Sequence, residues 1–202
     1  MTYPYAGKGC LDNIGARQFP GVMVGDKQTV EDEEGVDIGY RWYDGNVSGS
    51  CPTTDQGANP CVAFPFGHGL SYSTFKISKL AVTPRVSDGT RPIKVQFLVE
   101  NTGDVAGAEV PQVYLSLPES ENAPPKRLVG FDKVELQPGE KKRVEITVDP
   151  AASNHPLSVW NADADTWHTP VGEFAVHVGN SSGNLTLSDT GTVIHVPGGL
   201  GR

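Results

Sequence analysis

The sequence predicts an all-β protein whose larger part is an antiparallel β-sandwich, preceded by an irregular N-terminal extension. Three observations indicate this fold class. From residue 76 onward, apolar and polar residues alternate in short runs, as in strands that bury one face. Residues that favour turns separate these runs. No amphipathic run of helix length follows residue 76, so we expect about seven strands in two packed sheets.

Three segments show the alternation most clearly. Their alternate apolar residues are expected to face the core, because successive side chains of a strand point to opposite faces of its sheet. These predicted core residues are Ile93, Val95, Phe97 and Val99; Val144, Ile146 and Val148; and Phe174, Val176 and Val178. The predicted turns between strands lie at residues 87–89, 101–104, 137–140 and 180–184.

The first 75 residues differ from the rest. They contain many glycines, an acidic patch at residues 31–34, and no apolar period long enough to build an independent core. We therefore expect this piece to lie along another surface, with one short helix or turn around residues 36–43.

Residues 64–75 form the most unusual run, Phe-Pro-Phe-Gly-His-Gly-Leu-Ser-Tyr-Ser-Thr-Phe. Gly67 and Gly69 allow tight turns of the backbone, and the surrounding rings are large apolar anchors. The run is interpreted as a buried joint between two structural units.

Four segments, in order, resemble motifs of glycoside hydrolase family 3. Residues 64–75 are similar to its FPFGYGLSYTxF signature, with His68 where the signature has Tyr. Residues 34–44 resemble its EGxxVGYRxYD segment. Residues 99–114 resemble its VxNTGxxAGxEVxQxY segment, and residues 128–140 its LxGFxKVxLxPGE segment.

The resemblance implies the C-terminal part of a β-glucosidase or β-xylosidase. Residues 1–75 would be the end of an α/β sandwich domain with its linker, and residues 76–202 a fibronectin type III-like domain. The implied role is accessory and stabilising, in an enzyme that hydrolyses terminal β-D-glycosides with retention. The family's catalytic carboxylates have no matching position here, so no catalytic residue is assigned and this chain alone is not expected to be catalytic.

The implied partners are the catalytic domains of the parent enzyme, with polysaccharide as a second candidate. Aromatic residues and one arginine near the joint are the candidate contacts with those domains. These predicted docking residues are Arg41, Trp42, Tyr43, Phe64, Phe66, His68, Tyr72 and Phe75.

Composition argues against other partners. The chain has 16 Lys and Arg against 24 Asp and Glu, a net charge of −8. A nucleic acid partner is not expected, because phosphate binding needs clustered cations. A membrane partner is not expected either, because no stretch approaches the roughly 20 apolar residues that span a bilayer.

The cysteines and glycosylation sequons favour an extracellular location. Cys51 and Cys61 bracket a loop-like step rich in Pro, Thr and Gly, where a disulfide and two free thiols remain alternatives. Cys10 would then be left over. The start of the chain shows no secretory signal, but three triplets permit N-glycosylation, beginning at Asn46, Asn180 and Asn184.

No cofactor and no metal site is expected. Residues 161–165 have oxygen ligands at alternate positions, but Thr166 and Gly172 stand where a calcium loop needs Gly and Glu. The five histidines never have close metal-ligand spacing. The acidic patch at residues 31–34 is interpreted as a solvated face that an ion pair with Arg41 would neutralise in part.

Trp160 and Trp167 flank the polar run 161–165, and we interpret them as core residues of the sandwich. Two other functions remain open. A carbohydrate-binding module would expose a row of aromatic rings on one sheet face, and an autonomous adhesion or interaction domain would need no sugar at all.

Overall fold

The computed structural model describes residues 2–4, 21–31, 35–46, 62–121 and 123–194. The chain divides into two compact units. The first comprises residues 1–68 and 181–184, and the second comprises residues 69–180 and 185–202. No helix in the described ranges is long and apolar enough to cross a membrane.

The first unit contains short strands and one helix. Its described elements are β1 (Tyr3–Pro4), β2 (Val22–Val24), β3 (Lys27–Thr29), α1 (Tyr40–Asn46) and β4 (Val62–Phe64). β1 pairs with β4, and β2 pairs with β3, both antiparallel. The β2–β3 turn includes Gly25 at a φ of 65°, a conformation that favours glycine.

Helix α1 starts later than the sequence predicted. A helix or turn was expected around residues 36–43, whereas α1 covers Tyr40–Asn46. Gly39 has a φ of 62°, which is outside the right-handed helical region, so the helix cannot extend back through it. The Tyr43 amide donates to the Gly39 carbonyl at 3.3 Å and closes the first turn.

The second unit is built almost entirely of strands. They are β5 (Phe75–Thr83), β6 (Val86–Ser87), β7 (Ile93–Asn101), β8 (Gly107–Glu109), β9 (Gln112–Ser116), β10 (Arg127–Phe131), β11 (Val134–Leu136), β12 (Lys141–Val148), β13 (Val159–Asn161), β14 (Thr166–His168), β15 (Gly172–Ser181) and β16 (Asn184–Val193). The helical content of its described residues is one 3₁₀ turn, Glu119–Glu121. The predicted all-β class is therefore confirmed.

Two sheets enclose one core. The smaller sheet has the order β12-β7-β5, and the larger has the order β10-β9-β15-β16-β6, in which β16 and β6 run parallel. Two further pairs, β11–β8 and β13–β14, are antiparallel. Buried apolar side chains of both sheets form a single cluster, as in a sandwich.

The predicted alternation is confirmed in β7, β12 and β15. Every residue expected to face the core in these strands is buried. Phe97 on β7 lies opposite Val144 on β12, and Val95 lies opposite Ile146, so the register brings the apolar faces together. The register therefore follows from the apolar pattern, since a shift of one residue would expose all of these side chains.

The hairpin β13–β14 contradicts one expectation. Trp160 and Trp167 are directly opposite each other in the pair and are 49% and 45% exposed, so their assignment to the core was wrong. Val159, one residue before Trp160, packs against the core instead. Because neighbouring side chains of a strand face opposite ways, burial of Val159 places Trp160 on the outer face.

Candidate docking surface

Residues 64–68 belong to the first unit and form a tight turn. The His68 amide donates to the Pro65 carbonyl at 3.0 Å, and Gly67 has a φ of 82°. The Phe64 and His68 rings are 5.3 Å apart, and the Phe66 ring lies 5.4 Å from that of Tyr40. Phe64 is half exposed, so the turn presents one aromatic ring to solvent.

Helix α1 contains the other predicted docking residues of this unit. Tyr43 is buried, and Arg41 places its Cζ 6.0 Å from the Tyr40 ring centroid. Arg41 Nη1 donates to the Val36 carbonyl at 3.4 Å, while residues 32–34 of the acidic patch lie outside the described residues. The indole Nε1 of Trp42 is buried and has no hydrogen-bond partner among the described residues. A buried donor without an acceptor is costly.

In the second unit, Asn101 holds residues 73–75 against the sandwich. Its side chain is completely buried at the end of β7. Its Oδ1 accepts hydrogen bonds from Ser73 Oγ at 2.6 Å and from the Gly103 amide at 3.0 Å. Its Nδ2 donates to the carbonyls of Val105 at 2.8 Å and Leu136 at 3.1 Å. Every donor and acceptor of this side-chain amide is therefore hydrogen-bonded, and only this arrangement keeps the free-energy cost of burying it low.

Two glycines allow the same segment to approach closely. A Cβ added to Gly103 would overlap Ser73 Oγ and would lie 2.9 Å from the Thr74 amide nitrogen. A Cβ on Gly107 would lie 3.1 Å from Phe75 Cζ. The Thr102 amide also donates to the Thr74 carbonyl at 2.8 Å. Residues 101–107, which lie in a segment that resembles a family motif, thus contact and hold residues 73–75 at the end of the aromatic run.

The contacts between residues 101–107 and residues 73–75 determine which side chains of the aromatic run reach solvent. Ser73 is buried and Phe75 packs against the core of its own unit. Leu70 is 94% exposed and Tyr72 is fully exposed. We call these two side chains the Leu70–Tyr72 surface. Tyr72 was predicted from the sequence, whereas Leu70 was missed because only rings and arginine were considered as anchors.

Among the described residues, the carboxyl groups with shifted pKa values do not resemble a glycosidase pair. Hydrogen bonds from Thr90 lower the pKa of Asp88, and hydrogen bonds from Lys94 and Gln96 lower the pKa of Glu145. A catalytic proton donor needs a raised pKa instead. His177 is half-buried, and desolvation followed by the charge of Lys126 lowers its pKa.

The remaining sequence predictions concern the polar run 161–165, metal binding and the cysteines. Residues 161–165 form a hairpin turn in which Asn161 Oδ1 accepts from the amides of Asp163 and Ala164, both at 3.0 Å, so the expected polar loop is confirmed. The described residues contain no group of three or more possible metal ligands. Cys51 and Cys61 lie outside the described residues, as does Cys10.

Comparisons with known proteins agree with the fold. The fibronectin type III-like domain model matches residues 109–182. The chain is 36% identical over 167 residues to thermostable beta-glucosidase B of Acetivibrio thermocellus, covering 82% of this chain and 20% of that protein. It is 39% identical over 167 residues to an exo-alpha-(1->6)-L-arabinopyranosidase of Bifidobacterium breve, with the same coverage of 82% and 20%.

A solved structure matches more of the chain. The Bifidobacterium adolescentis GH3 beta-glucosidase superimposes with a TM-score of 0.69 and 33% identity, over 90% of this chain and 24% of that one. The chain therefore spans about a fifth to a quarter of the length of the relatives it matches.

The sandwich and its matching model define a fibronectin type III-like domain. The resemblance to glycoside hydrolase family 3 is also confirmed: the chain is similar to β-glucosidases, among them a GH3 beta-glucosidase, and its fold is consistent with a C-terminal, fibronectin type III-like part of such enzymes.

Proposed function

We propose that this chain is the C-terminal accessory and stabilising part of a family 3 glycoside hydrolase. It docks on the catalytic domains of its parent enzyme through the Leu70–Tyr72 surface, and it contributes no reacting group. The parent hydrolyses terminal β-D-glycosides with retention, and the two carboxyl groups that this reaction needs lie outside the chain.

The observation that carries this proposal is the contrast between Ser73 and Tyr72. Ser73 is held by the buried Asn101 amide, so the neighbouring Tyr72 cannot turn inward without breaking a satisfied network. Leu70 and Tyr72 are held in water at nearly full exposure. In the isolated chain, these two apolar side chains therefore contribute no burial energy to folding. Burial of each against a partner would contribute about 1.5–3 kcal/mol.

The first unit supports the same role. The half-exposed Phe64 ring offers an apolar surface that a partner would cover. Other predicted docking residues of this unit act mainly through contacts within the unit; they are Arg41, Tyr43, Phe66 and His68.

The experiment grafts this chain in place of the matching region of the Bifidobacterium adolescentis GH3 beta-glucosidase. The chimera is expected to cleave a chromogenic β-glucoside, whereas the isolated 202-residue chain is expected to give no turnover above buffer. Substituting Leu70→Ser with Tyr72→Ser should lower the inactivation temperature of the chimera and leave the melting temperature of the isolated chain unchanged.

Val171→Ser is the matched control, because Val171 is also exposed but lies before β15, far along the chain from the docking segment. Its effect on the chimera should be negligible. Turnover by the isolated chain, or a double variant that leaves the chimera as stable as Val171→Ser does, would contradict the proposal.

A further inference from the structure

The indole rings of Trp160 and Trp167, called here the Trp160–Trp167 pair, have no role in the core or in the docking segment. They are cross-strand neighbours on β13–β14, with ring centroids 5.4 Å apart and planes at 72°. His155 stacks on Trp167 at 4.1 Å between centroids and 18° between planes. Each indole nevertheless leaves about half of its surface in water. Side chains this large are seldom left so exposed unless a ligand or partner covers them.

The base of the hairpin is fixed to the sandwich, so the two rings are held in place. Leu157 is completely buried, and Ser158 is buried beside it. Ser158 Oγ lies 2.8 Å from Thr169 Oγ1, and the Ser158 carbonyl accepts from Arg127 Nη1 at 2.8 Å. Rings held in this way lose little further freedom on binding, which favours recognition of a ligand.

Exposed carboxylates lie in the turn that joins the two strands. Asp163 and Asp165 lie in the hairpin turn between the two tryptophans and are exposed. Their carboxylate oxygens accept hydrogen bonds, and each indole Nε1 can donate one. The hairpin therefore combines an apolar ring surface with hydrogen-bonding groups in its adjoining turn.

We infer that the Trp160–Trp167 pair is a binding site for a neutral carbohydrate chain, a β-linked gluco-oligosaccharide. A pyranose ring has an apolar face of C–H groups and an edge of hydroxyls, and these match the indole surface and the acceptors of Asp163 and Asp165. The choice of a glucose chain rests on the proposed function, in which the parent enzyme acts on β-glucosides.

Other occupants fit less well. The two aspartates and the net charge of −8 disfavour phosphate-bearing ligands. A second copy of this chain would bring like carboxylates together at the same place, which is unfavourable. A neutral carbohydrate carries no charge, so neither the aspartates nor the net charge of the chain repels it.

Tryptophan fluorescence of the full 202-residue chain tests the inference, because Trp42, Trp160 and Trp167 are its three tryptophans. Titration with cellotetraose and with laminaritetraose is expected to give a saturable change with at least one of them at millimolar sugar. Trp160→Ala and Trp167→Ala should each weaken binding about tenfold, a typical loss for one stacking ring. Trp42→Phe is the matched control and should bind as tightly as the unaltered chain.

A second measurement needs no substitution in the hairpin. In NMR spectra of the unaltered chain, the indole N–H signals of Trp160 and Trp167 should shift with added sugar, and that of Trp42 should not. The absence of any saturable change with both sugars, or equal binding by Trp160→Ala, would overturn the inference. A lower inactivation temperature for Trp160→Ala in the chimera, without any sugar binding, would also overturn it and identify the hairpin as a protein contact.

The two proposals can fail separately. Sugar binding by the chain together with a chimera insensitive to Leu70 and Tyr72 would refute the docking role alone. A chimera that depends on Leu70 and Tyr72, together with a chain that binds neither sugar, would refute the carbohydrate site alone.

Discussion

Ser73 Oγ donates a 2.6 Å hydrogen bond to Oδ1 of the completely buried Asn101, 28 residues further along the chain. This bond joins the end of the aromatic run to the core of the sandwich. It places Ser73 inside and leaves Tyr72 in water. The exposure of Tyr72 is therefore a consequence of how Asn101 is satisfied.

Removing the Asn101 amide should be costly. Asn101→Ala leaves Ser73 Oγ, the Gly103 amide and two carbonyls without their partner, so we expect a loss of about 3 kcal/mol in the free energy of unfolding. Ser73→Ala removes one of these bonds and should cost about 1 kcal/mol. Urea denaturation of both variants measures the difference, and equal losses would contradict the central role of Asn101.

Gly103 should not tolerate a side chain. Gly103→Ala places a Cβ against Ser73 Oγ and the Thr74 backbone, so we expect a loss of about 1–3 kcal/mol from overpacking. Gly69→Ala is the matched control, because no atom lies within 4 Å of the Cβ that it adds. Its effect on the urea midpoint should be within about 0.5 kcal/mol. Similar losses at both positions would argue against the close approach.

Gly130 on β10 should be coupled to Ile146 on β12. A Cβ at Gly130 would overlap Ile146 Cγ2, so Gly130→Ala alone should cost about 1–3 kcal/mol. Combined with Ile146→Ala, the same substitution should cost much less, because the obstructing branch is gone. A double-mutant cycle by chemical denaturation measures this coupling, and strict additivity would show that the strands move apart instead.

His177 should make the stability of the sandwich depend on pH. Desolvation, followed by the charge of Lys126, lowers its pKa in the folded state, and Ser116 and Ser188 hydroxyls lie 3.3 and 3.0 Å from its ring nitrogens. The unfolded chain therefore binds a proton first as pH falls below about 6.5. The contribution of neutral His177 to the free energy of unfolding is fully present above that pH. It is lost as pH falls toward the lowered pKa of the folded state.

The measurement is the free energy of unfolding between neutral and mildly acidic pH. His177→Gln should flatten this part of the profile. An unaltered slope in His177→Gln would assign the dependence to other groups.

Local patterns predicted the strands better than the sites. The core positions of β7, β12 and β15 follow from an alternation of period two, which burial on one face imposes directly. The Trp160–Trp167 pair was misplaced because size and hydrophobicity alone suggested burial, whereas the face is decided by Val159. The start of α1 depended on the φ of Gly39, which composition does not reveal.

The link between Ser73 and Asn101 was beyond prediction from the sequence. The two residues are far apart in the chain, and serine and asparagine at turns usually bond to their own neighbours. The motif that includes residues 101–107 could be recognised in the sequence. Its contacts with residues 73–75 are visible only in the folded structure.

The Asn101 network also sets where the sandwich can be cut from a longer polypeptide. A fragment that starts at residue 76, one residue inside β5, would lack Ser73, Thr74 and Phe75, and would leave Asn101 Oδ1 and the Thr102 amide each short of a partner. A fragment that starts at Gly69 keeps all of them. For anyone expressing or fusing this domain, the seven residues 69–75 are part of the module rather than a disposable linker.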